Sequence, residues 1–269
     1  MQELIGFCDQ LGMRITVHDV TDLSHPVWEW HGEDPLFRNV AGLKLRRHPQ
    51  YGLVVLTCAS DGYLAMVSYP GGELLWEAHA KGNLHSVELL PDGRIALAAS
   101  TGNYLRLYTT PDTYTEQRVE DAHGVLYDPA RGTLWVLGLH TLAEYDPDTL
   151  QPAGNCFDFG DTDIAGHDLA PYYGDTNRLW VTVRDGIRVY DKTKNAFVSD
   201  HPAAELPARH VKGVGNTPES NTLFYLYPNG VYLPWCTDRV QVRDAQGDRE
   251  IAVPGCAYYK LRVFCEQYQ

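Results

Sequence analysis

Four histidines recur at one position of a repeated pattern, and this recurrence is the strongest chemical signal in the sequence. They begin the segments "HSVELLPDGRIALAA", "HGVLYDPARGTLWVL", "HDLAPYYGDTNRLWVTV" and "HVKGVGNTPESNTLFYL", and they are His85, His123, His167 and His210. Neutral imidazoles are good ligands for divalent transition metals. If the four side chains meet in space, they predict a metal site with Zn, Mn, Fe or Ni as its cofactor.

The segments that carry these histidines are predicted to be β-hairpins. Each has a strand, a turn rich in Pro, Gly, Asp or Asn, and a more apolar second strand. These turn residues tolerate or pre-organise the backbone of tight hairpins. No window has the apolar spacing of an amphipathic helix. The sequence therefore predicts an all-β, antiparallel fold.

The spacing of the repeats predicts the architecture. Two further segments, "AGLKLRRHPQYGLVVLT" at Ala41 and "AYYKLRVF" at Ala257, begin like the others but lack the histidine, and successive starts are 38 to 47 residues apart. This is the period of a four-stranded propeller blade. The last segment has room for one strand, and "ELIGFCDQ", "RITVHDV" and "VWEWH" near the N-terminus supply three more. We expect one domain over residues 1–269, a six-bladed β-propeller closed by its two terminal strands in one blade.

In a propeller, the first strand of every blade lines the central channel, so equivalent starts form a ring around its axis. The four histidines are then predicted to converge on one point. Ala41 and Ala257 would leave the remaining side of the ring open, as in a metal site that receives a substrate. The alternative is that each imidazole bonds neighbouring backbone. The protein would then be a metal-free scaffold that binds a protein partner across its top face.

Other candidates surround the predicted ring. Residues of blade-to-blade loops or next to the ring form a predicted ligand-binding rim at the channel mouth: Trp30, His31, His79, Asn83 and Arg209. An enlarged loop in the sixth blade offers three aromatic residues that would cover the mouth or cap that blade: Tyr227, Tyr232 and Trp235. Three carboxylates flank the ring and would orient imidazoles or sit in surface turns: Asp121, Asp163 and Asp168.

Net charge and cysteine content restrict the classes of binding partner and the cellular compartment that we expect. The chain carries 22 Lys and Arg against 35 Asp and Glu, a formal net charge of −13. This charge disfavours nucleic acids and anionic membrane surfaces. The N-terminus "MQELIGFCDQLGMR" lacks the basic start and apolar core of a secretory leader. Six cysteines without a CxxC pair indicate reduced thiols. These features predict a cytoplasmic protein.

The repeats resemble the broad superfamily of repeat propellers that includes the NHL, YVTN and quinoprotein-like types. "RVYDKTKNAF" and "AEYDPDTLQP" are similar to the third strand and turn of YVTN-type blades, and "VWEW" resembles quinoprotein blades. A histidine-lined channel also resembles that of propeller oligogalacturonate lyases, which hold a metal there but have seven blades. The resemblance implies a propeller that binds a metal or small ligand, with a sugar acid as ligand or substrate. If the protein is an enzyme, a metal-dependent lyase or hydrolase is implied.

Overall fold

Twenty-four β-strands make up the described part of the computed structural model, which covers residues 2–160, 165–207 and 209–269. They form six four-stranded antiparallel sheets, which are the blades of a propeller. The predicted all-β fold and the predicted blade count are confirmed. Nowhere in these residues is there a helix with the length and apolarity needed to cross a bilayer.

The blades are numbered from the one that contains the N-terminus, and their strands follow chain order. Blade 1 contains β24 (Tyr258–Val263), β1 (Leu4–Asp9), β2 (Arg14–Asp19) and β3 (Asp22–His31). Blade 2 contains β4 (Val40–His48), β5 (Gly52–Ala59), β6 (Tyr63–Ser68) and β7 (Leu74–His79). Blade 3 contains β8 (Leu84–Leu89), β9 (Ile95–Ala99), β10 (Tyr104–Thr110) and β11 (Thr113–Arg118). Blade 4 contains β12 (Gly124–Asp128), β13 (Thr133–Leu137), β14 (Thr141–Tyr145) and β15 (Pro152–Asp158). Blade 5 contains β16 (Gly166–Pro171), β17 (Arg178–Val183), β18 (Gly186–Asp191) and β19 (Ala196–Val198). Blade 6 contains β20 (Val214–Asn216), β21 (Leu223–Tyr225), β22 (Arg239–Asp244) and β23 (Gly247–Ala252).

Blade 1 is built from both ends of the chain, as the sequence predicts. Strand β24 pairs antiparallel with β1, so that Ile5 lies opposite Val263 and Phe7 opposite Leu261. Strand β24 also contacts β4 of blade 2 and β20 of blade 6. The ring is therefore closed by hydrogen bonds between terminal strands, which removes the exposed edge that an open sheet would leave.

Apolar side chains fill the spaces between neighbouring blades. Leu56 and Met66 of blade 2 pack with Leu97 of blade 3, for example, and Trp135 and Trp180 are fully buried. Removing such side chains from water stabilises the fold by about 1.5–3 kcal/mol each. This packing fixes the inner strands of adjacent blades relative to one another, and so positions the groups that line the channel.

Several inner strands begin with a β-bulge at the ring position. The pairing register shifts across Ala41 in blade 2, His85 in blade 3 and His167 in blade 5. A bulge leaves one residue out of the ladder and redirects its side chain. In four repeats, the residue two positions before the ring position has a positive φ. These residues are Asn39 (54°), Asn83 (59°), Asp121 (46°) and Gly255 (84°). Blades 2 and 3 thus share both features at the head of the inner strand, and blades 1, 4 and 5 each have one of them.

Candidate functional site

The four recurring histidines lie together at one end of the channel. Their rings form an arc in chain order, with centroid separations of 4.3 Å from His85 to His123, 5.3 Å from His123 to His167 and 5.0 Å from His167 to His210. His85 and His167 are also 6.2 Å apart across the arc. Imidazoles from four consecutive blades, distant in sequence, therefore share one small region.

Burial keeps three of these imidazoles neutral. His85 and His167 are only 5 % and 8 % exposed, and burial lowers the pKa of both well below the usual range of histidine. Burial, with a smaller effect of the nearby Lys260 ammonium, lowers the pKa of His123 to about 4. The backbone carbonyl of Asp121 lies 2.9 Å from Nδ1 of His123 and holds its ring. At neutral pH the arc is therefore a set of uncharged donors and acceptors.

A lysine stands at one end of the arc. The Nζ of Lys212 lies 2.9 Å from Nε2 of His167 and 3.4 Å from Nε2 of His210. The hydroxyl of Tyr259 is 3.4 Å from the same His167 nitrogen, and Nζ of Lys212 is 5.3 Å from the centre of the Tyr259 ring. Burial first and Lys260 second lower the pKa of Lys212 to about 8. Lys212 is therefore a desolvated cation near neutral pH.

The tautomer of His167 follows from this contact. When Nε2 accepts a hydrogen bond from the lysine, the ring proton must be on Nδ1. The Nδ1 atoms of His167 and His85 are buried and have no hydrogen-bond partner among the described residues. Two polar nitrogens of the arc are thus unsatisfied, which is costly in a buried site.

The arrangement does not offer a ready metal centre. Among the described residues, no group of three or more His, Cys, Asp and Glu side chains is placed to hold a metal ion. The ammonium of Lys212 also lies within hydrogen-bond distance of two of the four imidazoles, and a cation there repels a metal ion. Metal binding by the four histidines stays a prediction, and we derive no chemistry through it.

The alanine side of the ring is not the open side that the sequence suggests. Ala41 and Ala257 are fully buried and belong to an apolar cluster with Cys236 and Tyr259, against which Leu233 packs. Tyr259 follows Ala257 by two residues and therefore projects to the same face of β24. A bulky ring and the enlarged loop of blade 6 fill the space beside the two small residues.

Two pockets open at this end of the channel and share two wall residues, Lys212 and Trp235. The first, of about 310 Å³, is lined mainly by polar groups of blades 1 to 3 and by Tyr259: Gln10, Asn39, Ser60, Asp61, Asn83 and His85. The second, of about 550 Å³, lies on the side of blade 6 and is lined by Arg209, His210, Tyr227, Pro228 and Pro234. The site thus has one mainly polar pocket and one of mixed polarity, with Lys212 and Trp235 in the wall of both.

The predicted rim residues separate into two groups. Asn83 and Arg209 line the two pockets, and Arg209 stacks 5.3 Å from the centre of the Tyr227 ring. Trp30, His31 and His79 line neither pocket, because they lie at the ends of the outermost strands β3 and β7. His79 pairs with Asp34 at 2.9 Å. Of the predicted aromatic cover, Tyr227 and Trp235 line the second pocket.

The flanking carboxylates have different roles. Asp168 does not contact an imidazole; it is buried below the arc and binds Lys260 and Arg262 of β24. Asp121 lies beside His123, with 3.4 Å between its carboxylate and Nδ1. Asp163 is outside the described residues.

A buried charged layer lies below the arc, and the sequence reasoning missed it. Glu88 of β8 binds Lys44 and Arg46 of β4, with Nζ–Oε2 of 2.9 Å and Nε–Oε1 of 2.7 Å. Lys260 and Arg262 of β24 occupy the corresponding positions in blade 1. The sequence signal was the shared "KLR" in the two segments that lack the histidine. Lys212 had a signal too, because it follows His210 by two residues and so faces the same side of an extended segment.

Comparison with known proteins supports the propeller fold and does not identify an activity. Residues 44–267 match a family model described as a family of unknown function, DUF6528, so the chain belongs to this family. No curated protein has significant sequence similarity to the chain.

Several solved structures share the fold. A protein of unknown function from Bacteroides caccae is 14% identical with a TM-score of 0.68, and the alignment covers 97% of this chain and 98% of that one. A catalytically inactive histidine-to-alanine variant of virginiamycin B lyase from Staphylococcus aureus, solved with quinupristin, is 13% identical with a TM-score of 0.57, over 80% of this chain and 70% of that one. The Cps50 (Swd1) propeller domain of Myceliophteria thermophila is 13% identical with a TM-score of 0.58, over 90% and 80%. At these identities the likeness shows the propeller fold alone.

Proposed function

We propose that this member of the DUF6528 family binds a small carboxylate-bearing sugar, a sugar acid, at the channel mouth. The observation that carries the proposal is Lys212. Its side chain is largely buried, it forms part of the wall of both pockets, and no carboxylate among the described residues pairs with it. A desolvated ammonium whose side-chain hydrogen-bond partners among the described residues are neutral imidazoles is best satisfied by an anionic ligand.

The rest of the mouth fits the remaining parts of such a ligand. Trp235 is 44% exposed, and its indole offers an apolar face for a sugar ring. Amide and hydroxyl groups of Asn39, Asn83 and Ser60 line the same pocket and suit sugar hydroxyls. Hydroxyl recognition by polar side chains gives orientation, whereas the charge contributes most of the affinity.

Electrostatics favour an anion at this place although the protein as a whole is acidic. The net charge is −13, yet Lys212, Arg209 and the deeper Lys260 carry positive charge near the mouth. A local positive potential in a cleft concentrates anions. A neutral sugar would leave the ammonium without an anionic partner.

Matched acid and neutral sugars test the proposal. We expect galacturonate and glucuronate to raise the melting temperature of the protein, while galactose and glucose do not. Calorimetry with the better acid should show a loss of affinity of about 10–100-fold for Lys212→Met, because a hydrogen bond to a charged group contributes about 1.5–3 kcal/mol. Lys194→Met is the control, since that side chain is 63% exposed. Equal binding of neutral sugars, or full affinity in Lys212→Met, would remove the proposal.

A lyase is the second candidate, and the buried His85 favours it. This neutral imidazole lines the pocket, and its Nδ1 has no partner among the described residues. In such a reaction His85 would take the proton from the carbon next to the carboxylate, the C–O bond to the leaving sugar would break, a C=C bond would form, and the departing oxygen would take up a proton from water. Galacturonate oligomers would then give an ultraviolet-absorbing unsaturated acid with the wild type but not with His85→Ala. A test with and without added Zn²⁺ or Mn²⁺ includes the predicted metal. No absorbing product under either condition would leave binding as the function.

A further inference from the structure

The core of the channel contains more buried cations than carboxylates. Lys44 and Arg46 of β4 and Lys260 and Arg262 of β24 are all buried. Among the described residues they pair with two carboxylates, Glu88 and Asp168. Four positive charges against two negative ones leave an excess of two. The imidazoles above this layer add no positive charge to this excess, because burial keeps them neutral.

A small cavity lies within this layer. Its volume is about 10 Å³, and it is lined by Lys44, Arg46, Arg262, Tyr173, Val214 and Gly215, among others. A cavity of this size accommodates one particle of about the size of a water molecule. Gly215, in the inner strand of blade 6, forms part of the cavity wall, and Arg262 lines it while binding Asp168 through both terminal nitrogens. The cavity thus borders three of the four cations.

One buried donor of Arg262, a residue of the cavity wall, has no acceptor among the described residues. The Nε atom of Arg262 is buried and makes no hydrogen bond to any described residue, although both terminal nitrogens of the same guanidinium bind Asp168. An arginine N–H always carries its proton and cannot be relieved by ionisation. An unpaired buried donor and an excess of buried charge both cost free energy.

We propose that this cavity binds one small monovalent anion of about the size of chloride, held by Lys44, Arg46 and Arg262. An anion lowers the excess of positive charge and accepts hydrogen bonds. A water molecule accepts hydrogen bonds but leaves the charge excess unchanged. The pKa of Lys44 agrees with a positive surrounding, because burial lowers it to about 8 and the neighbouring Arg46 and Arg262 act against the Glu88 that raises it. The site is independent of the sugar-acid site at the mouth.

Bromide replaces chloride in the first test. Crystals of the full chain grown or soaked in bromide should show one anomalous peak in this cavity. A peak there supports the anion. Ordered density without an anomalous signal identifies a water molecule and overturns the proposal, and so does an empty cavity.

Stability as a function of chloride is the second test, with methanesulfonate used to keep the ionic strength constant because it is too large for the cavity. One bound ion predicts that the free energy of unfolding rises by about 1.4 kcal/mol for each tenfold increase of chloride above its dissociation constant. We expect Lys44→Met to lose this dependence, and Lys194→Met, at an exposed site, to keep it. No difference between chloride and methanesulfonate for the wild type would overturn the proposal. The wild-type bromide experiment decides the question even if Lys44→Met does not fold.

Discussion

Asp168→Asn is the substitution for which the structure predicts the clearest effect. The carboxylate is fully buried and lies 3.1 Å from Nζ of Lys260 and 2.5–2.6 Å from the terminal nitrogens of Arg262. It connects β16 of blade 5 to β24 of blade 1 across the glycine-bearing strand of blade 6. Asparagine has nearly the same shape, so the change removes charge without opening a cavity.

The cost follows from leaving two cations without their counter-ion. Removing one partner of a buried ion pair destabilises a protein by about 3–5 kcal/mol, a large part of the roughly 5–15 kcal/mol that stabilises a typical fold. At about 2–4 °C per kcal/mol, the melting temperature should fall by roughly 6–20 °C.

The pH dependence has a definite sign. Burial alone would raise the pKa of Asp168, but Arg262 and Lys260 outweigh it and hold the pKa below the usual value of aspartate. The carboxylate therefore stabilises the fold fully above its unfolded pKa of about 3.9, and this contribution is lost as pH falls through the folded pKa. The difference between wild type and Asp168→Asn should be constant from about pH 5 to 8 and should shrink in more acidic solution.

Urea unfolding followed by circular dichroism measures this difference at each pH. Asp185→Asn is the matched control, because its carboxylate pairs with Arg188 at 2.8 Å near the surface, where Asp185 is exposed and Arg188 is partly exposed. We expect the control to change stability by less than about 1 kcal/mol. If Asp168→Asn unfolds within about 1 kcal/mol of wild type at pH 7, the argument from an uncompensated buried charge is refuted.

Three further predictions use other parts of the molecule. A chain that ends at Gly255 lacks β24, the inner strand of blade 1, and should lose its cooperative thermal transition; a wild-type melt would contradict closure by the terminal strands. Affinity for a sugar acid should be constant between about pH 5 and 7 and should fall above pH 8. Burial and Lys260 lower the pKa of Lys212 to about 8, and the ammonium form is needed to bind the acid. Unchanged affinity at higher pH, measured by calorimetry, would exclude Lys212 as the residue that binds the carboxylate. Elemental analysis of protein purified without a metal-binding tag tests the predicted metal centre. A stoichiometric transition metal that is lost in His85→Ala would establish it, whereas less than one metal per chain is expected if the Lys212 ammonium beside His167 excludes the ion.

The sequence by itself determined the repeating part of the structure. Hairpin turns and alternating apolar segments depend on neighbouring residues, so their period gave six blades, and the short last segment required closure by the N-terminal strands. The same period placed His85, His123, His167 and His210 at equivalent positions. Their shared position means one shared region in space, since the ring repeats the same backbone geometry.

Only the tertiary structure showed which other side chains contact the histidines and fill the channel beside them. Lys212 meets His167 across 45 residues of chain, and Arg262 meets Asp168 across 94. No local pattern encodes such pairs, because they depend on which blades face each other across the channel. The filling of the alanine side by Tyr259 and the enlarged loop of blade 6 has the same origin. Ring position is a property of the repeat, whereas charge and space at the channel centre result from the particular residues that each blade contributes there.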